Sequence, residues 1–186
     1  MIGRRWCHAV GQEVIASVVA LQALPPTHAL KFKWGGQVDA FVLLDEARPV
    51  AFVNQCSHVA LEMDWNDAEF LAHGVIQCKV HGALFDPTTG ACLRPPPRCK
   101  MLRHLFQIPI EVDADGNVVT TSSPTTLRPR AEAIPLDDAY RRQKLARLQS
   151  ALEHEASEAQ IEIDRVNERA RRMVQQAREA KLHKPK

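Results

Sequence analysis

The chain has 186 residues, enough for one ordinary domain with an appendage or for two small domains. Its hydrophobic fraction of 45% and charged fraction of 25% exclude gross disorder and collagen-like repeats. The formal net charge of +2 does not indicate nucleic acid or an anionic membrane as partner, and no apolar run reaches the roughly 18 residues of a membrane span.

The N-terminal segment has some features of an export signal. Charged and apolar residues follow one another over 1–24, but Gln12 and Glu13 interrupt the apolar run and no small-residue cleavage site follows. We therefore interpret this segment as part of the fold. Five cysteines, an odd number in a chain of this length, favour a reducing cytoplasm over a secreted disulfide framework.

The first two thirds of the chain are predicted to be β-rich. Alternating or continuous apolar runs predict short strands, namely 30–34, 40–44, 50–53, 74–77, 106–112 and 117–120. Asp113–Asn117 contains Asp, Gly and Asn, which tolerate positive φ, and predicts a hairpin turn. Short strands at close spacing indicate a small antiparallel sandwich or barrel.

The sequence changes character near Pro135. Residues 121–135 read as a linker, and 136–183 contain neither Gly nor Pro and are rich in strong helix formers. A long charged helix is predicted over 136–186. Its apolar positions form a heptad seam with one stutter, made of Leu145, Leu148, Leu152, Ala156, Ala159, Ile163, Val166, Ala170, Met173, Ala177 and Ala180.

Two interpretations of this helix remain open. It is either a solvated helix folded back on the domain or a coiled coil that associates with itself or with a partner. A nucleic-acid arm is disfavoured because acidic residues are interleaved with the basic ones.

Four residues carry the chemistry, in the pattern C-x-H…C-x2-H-G. Cys56 and His58 form the first pair, and Cys78 and His81, followed by Gly82, form the second. Zinc could bind two cysteines and two histidines, but zinc fingers usually group like ligands. One sulfur and one nitrogen from each loop suit a dinuclear centre in which one iron takes both thiolates and the other both imidazoles.

These residues resemble the Rieske-type [2Fe–2S] proteins, over roughly residues 14–120. The run 81–90 resembles the family's HGxxFDxxTG segment, and Pro95–Pro97 stands where the family has a proline-rich third loop. The resemblance implies that Cys56 and Cys78 are thiolate ligands and that His58 and His81 are imidazole ligands of a [2Fe–2S] cluster. The gap between the motifs is a few residues longer than usual, which indicates an insertion over 64–70; we assign no chemical role to 61–65.

The resemblance implies a mainly β fold, a Rieske-like small antiparallel sandwich followed by the long helix. The expected divisions are a cluster-binding domain over 1–120 with its cluster subdomain at about 55–99, the linker 121–135 and the helix 136–186. Gly82 allows close backbone approach to the cluster or simply makes a tight turn. Cys92 and Cys99 either form a disulfide or stay as thiols, and Cys7 and His8 read as incidental.

High-potential family members place serine and tyrosine hydroxyls near the cluster sulfurs. Here Ala83 and Phe85 follow the second ligand pair, and neither side chain donates a hydrogen bond. Fewer donors stabilise the reduced state less. The sequence therefore predicts a low-potential centre.

The function that the resemblance implies is one-electron transfer, with no catalytic residues in this chain. The leading form is a low-potential ferredoxin-like component of an oxygenase or reductase system, with a reductase, a terminal oxygenase or both as partners. It is more an electron-transfer component than an enzyme by itself. The alternative is a non-catalytic small subunit or redox-sensing assembly module that docks through its C-terminal helix, which also offers a route to a homo-oligomer.

Overall fold

A computed structural model describes residues 12–100, 102–125 and 137–182. The chain divides into two compact units, residues 1–144 and 145–186. The described strands and helices are β1 (Glu13–Ser17), α1 (Val18–Gln22), β2 (Leu30–Trp34), β3 (Val38–Asp45), β4 (Arg48–Val53), β5 (Leu71–Ala72), β6 (Val75–Gln77), β7 (Leu84–Phe85), β8 (Cys92–Arg94), β9 (Gln107–Ile108), β10 (Glu111–Val112), β11 (Asn117–Thr120) and α2 (Asp138–Leu182).

The strands of the first unit form three antiparallel sheets. Their strand orders are β1-β11-β10, β2-β3-β4-β9 and β5-β6-β7-β8. The predicted fold class, mainly antiparallel β with a long C-terminal helix, is confirmed. Ser17 ends β1 and caps α1, since its hydroxyl accepts from the Ala20 N–H at 3.1 Å, so the segment examined as an export signal contains a strand and a helix.

Strand β3 lies between two hydrophobic clusters. Phe41 and Leu43 pack in one cluster, whereas Ala40 and Val42 pack in the other. Because successive side chains of a strand point to opposite faces, a strand buried on both faces reads as a continuous apolar run. Phe41 also stacks on Phe70 at a ring distance of 4.0 Å, which joins this sheet to the residues just before β5.

The predicted strands agree with the structure where they are local hairpins. The predictions 30–34 and 117–120 coincide with β2 and β11. The predicted strand 106–112 instead divides into β9, which pairs with β4, and β10, which pairs with β11. Pro109 separates the two, and a residue without an N–H cannot continue a ladder.

The long helix begins after Asp137, whose carboxylate accepts from the Ala139 N–H at 3.0 Å. The structure places α2 over Asp138–Leu182, within the predicted 136–186. Most of the predicted linker lies outside the described residues. Within the part of the chain that the structure describes, no helix combines the length and apolarity that crossing a membrane requires.

A buried carboxylate holds the segment that precedes β5. Asp64 is 0% exposed and accepts from Asn54 Nδ2 at 2.9 Å, Lys31 Nζ at 3.1 Å and the Ala68 N–H at 3.1 Å. Asn54 Oδ1 accepts from the Met63 N–H at 3.0 Å. Burial alone would raise the pKa of Asp64, but the hydrogen bonds from Asn54 and Lys31 outweigh burial and hold this pKa below its usual value.

The same segment contacts the residue that follows Cys78. The Lys79 N–H donates to the Met63 carbonyl oxygen at 2.8 Å. The Lys79 ammonium pairs with Asp67 and, at 2.6 Å, with Glu69. The insertion predicted at 64–70 therefore links the two predicted ligand loops, a role that the sequence did not reveal.

We expect Asp64→Ala to lower the free energy of unfolding by about 3 kcal/mol, because it removes an acceptor of the buried Asn54 amide and the buried partner of the Lys31 ammonium. Chemical denaturation measures this loss. Since the pKa of Asp64 is lower in the folded state, its stabilising effect is complete above the usual Asp value of about 4 and is lost as the pH falls below it.

Glu62→Ala is the matched control for this prediction. Glu62 accepts from the same Lys31 ammonium at 3.0 Å, but its side chain is 48% exposed. An exposed pair of this kind contributes about 0.5 kcal/mol. Equal losses in the two variants would contradict the role assigned to the buried carboxylate.

Candidate metal centre

The first predicted ligand loop follows strand β4. Cys56 lies in this loop with a side chain that is 1% exposed. Its N–H donates to the Leu61 carbonyl oxygen at 2.9 Å, which closes the chain around the sulfur. The Ser57 hydroxyl donates to the Arg103 carbonyl oxygen at 2.7 Å, so a contact with a distant segment fixes the loop.

The second ligand loop, after β6, repeats this arrangement. Cys78 is 0% exposed, and its N–H donates to the Ala83 carbonyl oxygen at 2.9 Å. Gly82 donates to the Cys78 carbonyl oxygen at 2.7 Å and has a φ of +69°. An added Cβ at Gly82 would meet no described protein atom within 4 Å, so the left-handed turn conformation accounts for this glycine.

The two loops bring their ligand atoms together. Ligand atoms of Cys56, Cys78 and His81 all lie within 4.8 Å of one another. Cys78 Sγ lies 3.4 Å from His81 Nδ1. The fourth predicted residue, His58, is outside this group of three, but its ring lies edge-on to the His81 ring with the centroids 4.7 Å apart.

The two sulfurs perturb each other strongly. A hydrogen bond from the Cys78 thiol is the largest influence on Cys56 and, with the His58 and Val59 N–H groups, lowers the pKa of Cys56 to about 5. The Cys56 sulfur in turn raises the pKa of Cys78, and burial adds to this increase. Two buried sulfurs that share one proton form a site in which a cation can replace that proton.

The site has a buried end and an exposed end. Both cysteine side chains are buried, His81 is half-buried and His58 is exposed. Val59 and Val80, which each adjoin a ligand loop residue, are also exposed apolar side chains. The sulfurs therefore face the protein interior, and the imidazoles lie at the surface.

The segment after the second loop is built around Asp86, which is 0% exposed. Asp86 Oδ1 accepts from the N–H groups of Thr88 and Thr89, each at 2.9 Å. Gly90 has a φ of +70°, and a Cβ there would lie 2.7 Å from the Phe52 ring. This glycine is therefore required both by the turn and by the packing against β4.

Tyr140, near the start of α2, donates a further hydrogen bond to Asp86. Its hydroxyl donates to Asp86 Oδ2 at 2.7 Å. Burial and the adjacent Asp86 carboxylate raise the pKa of Tyr140, so the phenol remains a donor at neutral pH. Sequence patterns do not indicate this contact, since the two residues lie far apart in the chain.

The other described cysteines, Cys92 and Cys99, lie outside this group. Burial raises the pKa of the Cys92 thiol to about 11. The Cys99 N–H donates to the Pro96 carbonyl oxygen at 3.1 Å, which closes a turn in the proline-rich loop. Cys7 and His8 lie outside the described residues.

The donor set fits a [2Fe–2S] cluster with mixed ligation. Thiolates are the usual ligands of iron–sulfur clusters, and a pair of imidazoles replaces two of them on one iron in Rieske centres. The structure supplies two converging sulfurs from two loops, with one imidazole among them and a second beside it. Backbone N–H groups from the same loops point at the Cys56 and Cys78 sulfurs, as expected around thiolate ligands.

Solved structures similar to this chain include two ferredoxins. The ferredoxin of carbazole 1,9a-dioxygenase from Nocardioides aromaticivorans IC177 is 25% identical; the match covers 59% of this chain and 96% of that chain, with a TM-score of 0.45. The Sphingomonas yanoikuyae B1 ferredoxin is 18% identical, with coverage of 59% and 97% and a TM-score of 0.44. Apo dicamba monooxygenase is 20% identical, with coverage of 69% and 38% and a TM-score of 0.49.

The family comparison is more direct. No curated protein sequence matches this chain. The family model of the Rieske [2Fe-2S] domain matches residues 15–109, slightly more than half of the chain and a range that includes both ligand loops. The chain therefore belongs to the Rieske family, whose domain binds a [2Fe–2S] cluster.

Proposed function

We propose that this protein is a ferredoxin-like carrier of single electrons in an oxygenase or reductase system, with its cluster held by Cys56, His58, Cys78 and His81. The observation that carries the proposal is the convergence of the two loops. Ligand atoms of Cys56, Cys78 and His81 lie within 4.8 Å of one another, and the His58 ring lies 4.7 Å from the His81 ring. Membership of the Rieske family supports electron transfer as the chemistry of this site.

When bound, the [2Fe–2S] cluster supplies a centre that accepts and releases one electron. The protein's own residues position that centre. Cys56 and Cys78 would hold it from the interior, and the N–H groups of His58 and Val59 stabilise negative charge on the Cys56 sulfur. The imidazoles of His58 and His81 would hold it from the surface, where an electron enters or leaves.

The surface beside the histidines suits a protein partner. Val59, Leu61 and Val80 are exposed apolar side chains next to the two ligand loops. An apolar surface can exclude water when a partner binds. The partner can then lie in direct contact with this surface, which shortens the distance between its own redox centre and the imidazoles. A reductase, a terminal oxygenase or both are the proposed partners.

We propose a reducing, cytoplasmic compartment for this protein, because five cysteines, an odd number, do not suit a secreted disulfide framework. Cys92 is a thiol in the structure. The pKa of Cys92, raised to about 11 by burial, keeps that thiol protonated and unreactive at neutral pH.

A second candidate function involves α2. Its residues 152–174 expose a series of apolar side chains, which favours association over a purely solvated role. The protein would then be a small subunit or a redox-sensing assembly module that docks through this helix. Self-association of α2 is the form of this candidate that the heptad seam supports, and it is compatible with electron transfer.

The side chains around the second loop support a low potential. Ala83 and Phe85 are buried and donate no side-chain hydrogen bonds. The Ser57 hydroxyl is directed to the Arg103 carbonyl oxygen and so is not available to a cluster sulfur. We therefore expect a midpoint potential near the bottom of the range of about −150 to +300 mV for such centres.

The primary test is electron paramagnetic resonance of the dithionite-reduced full-length protein. We expect the lower average g value that mixed Cys and His ligation gives relative to all-Cys clusters. Cys56→Ser and Cys78→Ser are expected to lose iron and visible absorbance, because each removes a thiolate ligand. Cys92→Ser and Cys99→Ser, in the same subdomain, are expected to retain both. A colourless protein with stoichiometric zinc would overturn the proposal.

Ala83→Ser is expected to raise the midpoint potential, because a hydroxyl at this position can donate to a cluster sulfur. A hydrogen bond of about 1 kcal/mol corresponds to about 40 mV for a one-electron couple. Redox titration followed by visible absorbance measures the change. Ser57→Ala is the control and should leave the potential nearly unchanged; a comparable decrease would show that Ser57 already donates to the cluster.

A chain that ends at Lys144 is expected to keep the spectrum and midpoint potential of the full chain, because it retains the first unit and the Tyr140–Asp86 hydrogen bond. A chain that ends at residue 136 loses this bond and should be less stable by about 1–3 kcal/mol. Tyr140→Phe in the full chain isolates the same bond. Loss of the cluster in the 144-residue chain would instead favour the subunit function for α2.

A further inference from the structure

Two consecutive segments of α2 carry opposite net charges. Residues 148–164 contain five acidic residues and no Lys or Arg, whereas residues 165–181 contain six Lys or Arg and two acidic residues. The two segments are equal in length and carry net charges of −5 and +4. The segment 148–164 is therefore acidic and the segment 165–181 is basic, whereas the first turns of α2, residues 138–147, contain four Lys or Arg and one acidic residue.

The apolar seam runs through both segments. Leu148 is buried at 6% exposure, whereas the seam residues from Leu152 to Met173 are exposed in the single chain. Ile163, Val166 and Met173 are 53%, 58% and 61% exposed. Together with the alanines of the seam they recur at spacings of three and four residues, which places them along one stripe of the helix. More than half of the surface of each of these three side chains is therefore accessible to solvent in the single chain.

We propose that α2 pairs with α2 of a second copy of this chain in an antiparallel coiled coil centred between residues 164 and 165. This inference rests on the self-association proposed above and gives it a direction and a register. In this register the acidic segment of each copy lies along the basic segment of the other. A parallel pair would place the two acidic segments side by side, which like-charge repulsion disfavours.

The seam fits this register at each layer of the described residues. Ile163 of one copy meets Val166 of the other, and Ala159 meets Ala170 in the next layer. Ala156 then meets Met173, so a small side chain faces a large one. An antiparallel coiled coil pairs heptad position a of one helix with heptad position d of the other. Each of these three layers has that combination.

The residues that flank the seam favour the same direction. At the central layers, Glu162 of one copy faces Arg169 of the other, and symmetry repeats this pair. In a parallel arrangement Glu162 would face Asn167, and Arg169 would face Val174, with no ion pair. Glu162 also contacts Arg165 of its own helix at 3.3 Å, but both side chains are about two-thirds exposed or more, so this contact contributes little.

Native lysines test the direction without any substitution. Lys144 and Lys181 are about 55 Å apart along one straight helix at 1.5 Å per residue, beyond the reach of a short amine-reactive cross-linker. In the antiparallel register, Lys144 of one copy lies near Lys181 of the other. We expect Lys144–Lys181 cross-links in a mixture of ¹⁵N-labelled and unlabelled full chains, with one labelled and one unlabelled peptide in the same product.

Two isoleucines of nearly equal exposure test the seam. Ile163 lies on the seam, and Ile161, which is 51% exposed, lies on the opposite side of the helix. Ile163→Asp should raise the dimer dissociation constant by roughly 100-fold or more, because two charges enter the central layers. Ile161→Asp should leave it nearly unchanged. Sedimentation equilibrium measures both, and circular dichroism shows that each variant keeps its helix.

The outcomes separate the direction from the association itself. A chain that is monomeric at all concentrations overturns both the self-association and the antiparallel register. A dimer with Lys144–Lys144 cross-links, or one that Ile163→Asp and Ile161→Asp weaken equally, overturns the register alone. If every Lys144–Lys181 cross-link joins two labelled or two unlabelled peptides, the link forms within one chain whose helix folds on itself. This result overturns the pairing. The visible spectrum of the same samples reports the cluster independently of these results.

Discussion

The site depends on the placement of two cysteine sulfurs side by side in the protein interior. The hydrogen bond with Cys56 and burial raise the pKa of Cys78, and if both thiols lost their protons the two neighbouring thiolates would repel each other. A cation between the sulfurs removes this repulsion, and backbone N–H groups from both loops reduce it further. The two loops must therefore be held together by contacts away from the sulfurs. The segment between Met63 and Lys79 supplies such contacts through the buried Asp64.

The features that the sequence predicted well are determined by residues close together in the chain. Strand β2, strand β11 and the turn before β11 depend on alternation and on Asp, Gly and Asn at neighbouring positions. The predicted ligand pairs, which stay a prediction, are equally local, since Cys56 and His58 share one loop and Cys78 and His81 share the other. Spacing within a loop constrains which side chains can face one metal, so the pattern alone identified the candidate residues.

The features that the sequence did not predict depend on residues that are distant in the chain. Lys31 lies in strand β2, and Asp64 lies in the segment between β4 and β5. No local sequence pattern indicates that the two residues form an ion pair. Tyr140 reaches Asp86 from the beginning of α2, which periodicity cannot indicate. The division of 106–112 into β9 and β10 follows from which strands lie beside them, and that is a tertiary property.

The two units use polar residues in different ways. In the first unit, Asp64 and Asp86 are fully buried and each accepts several hydrogen bonds, so each charge fixes one local geometry. In α2, ion pairs such as Arg172 with Glu168 are exposed and individually weak. What distinguishes α2 is the net charge of two consecutive segments, −5 over residues 148–164 and +4 over residues 165–181. Since five of the eleven seam residues are alanines, which bury little area, this separation of charge, rather than apolar burial, decides the direction in which the helix associates.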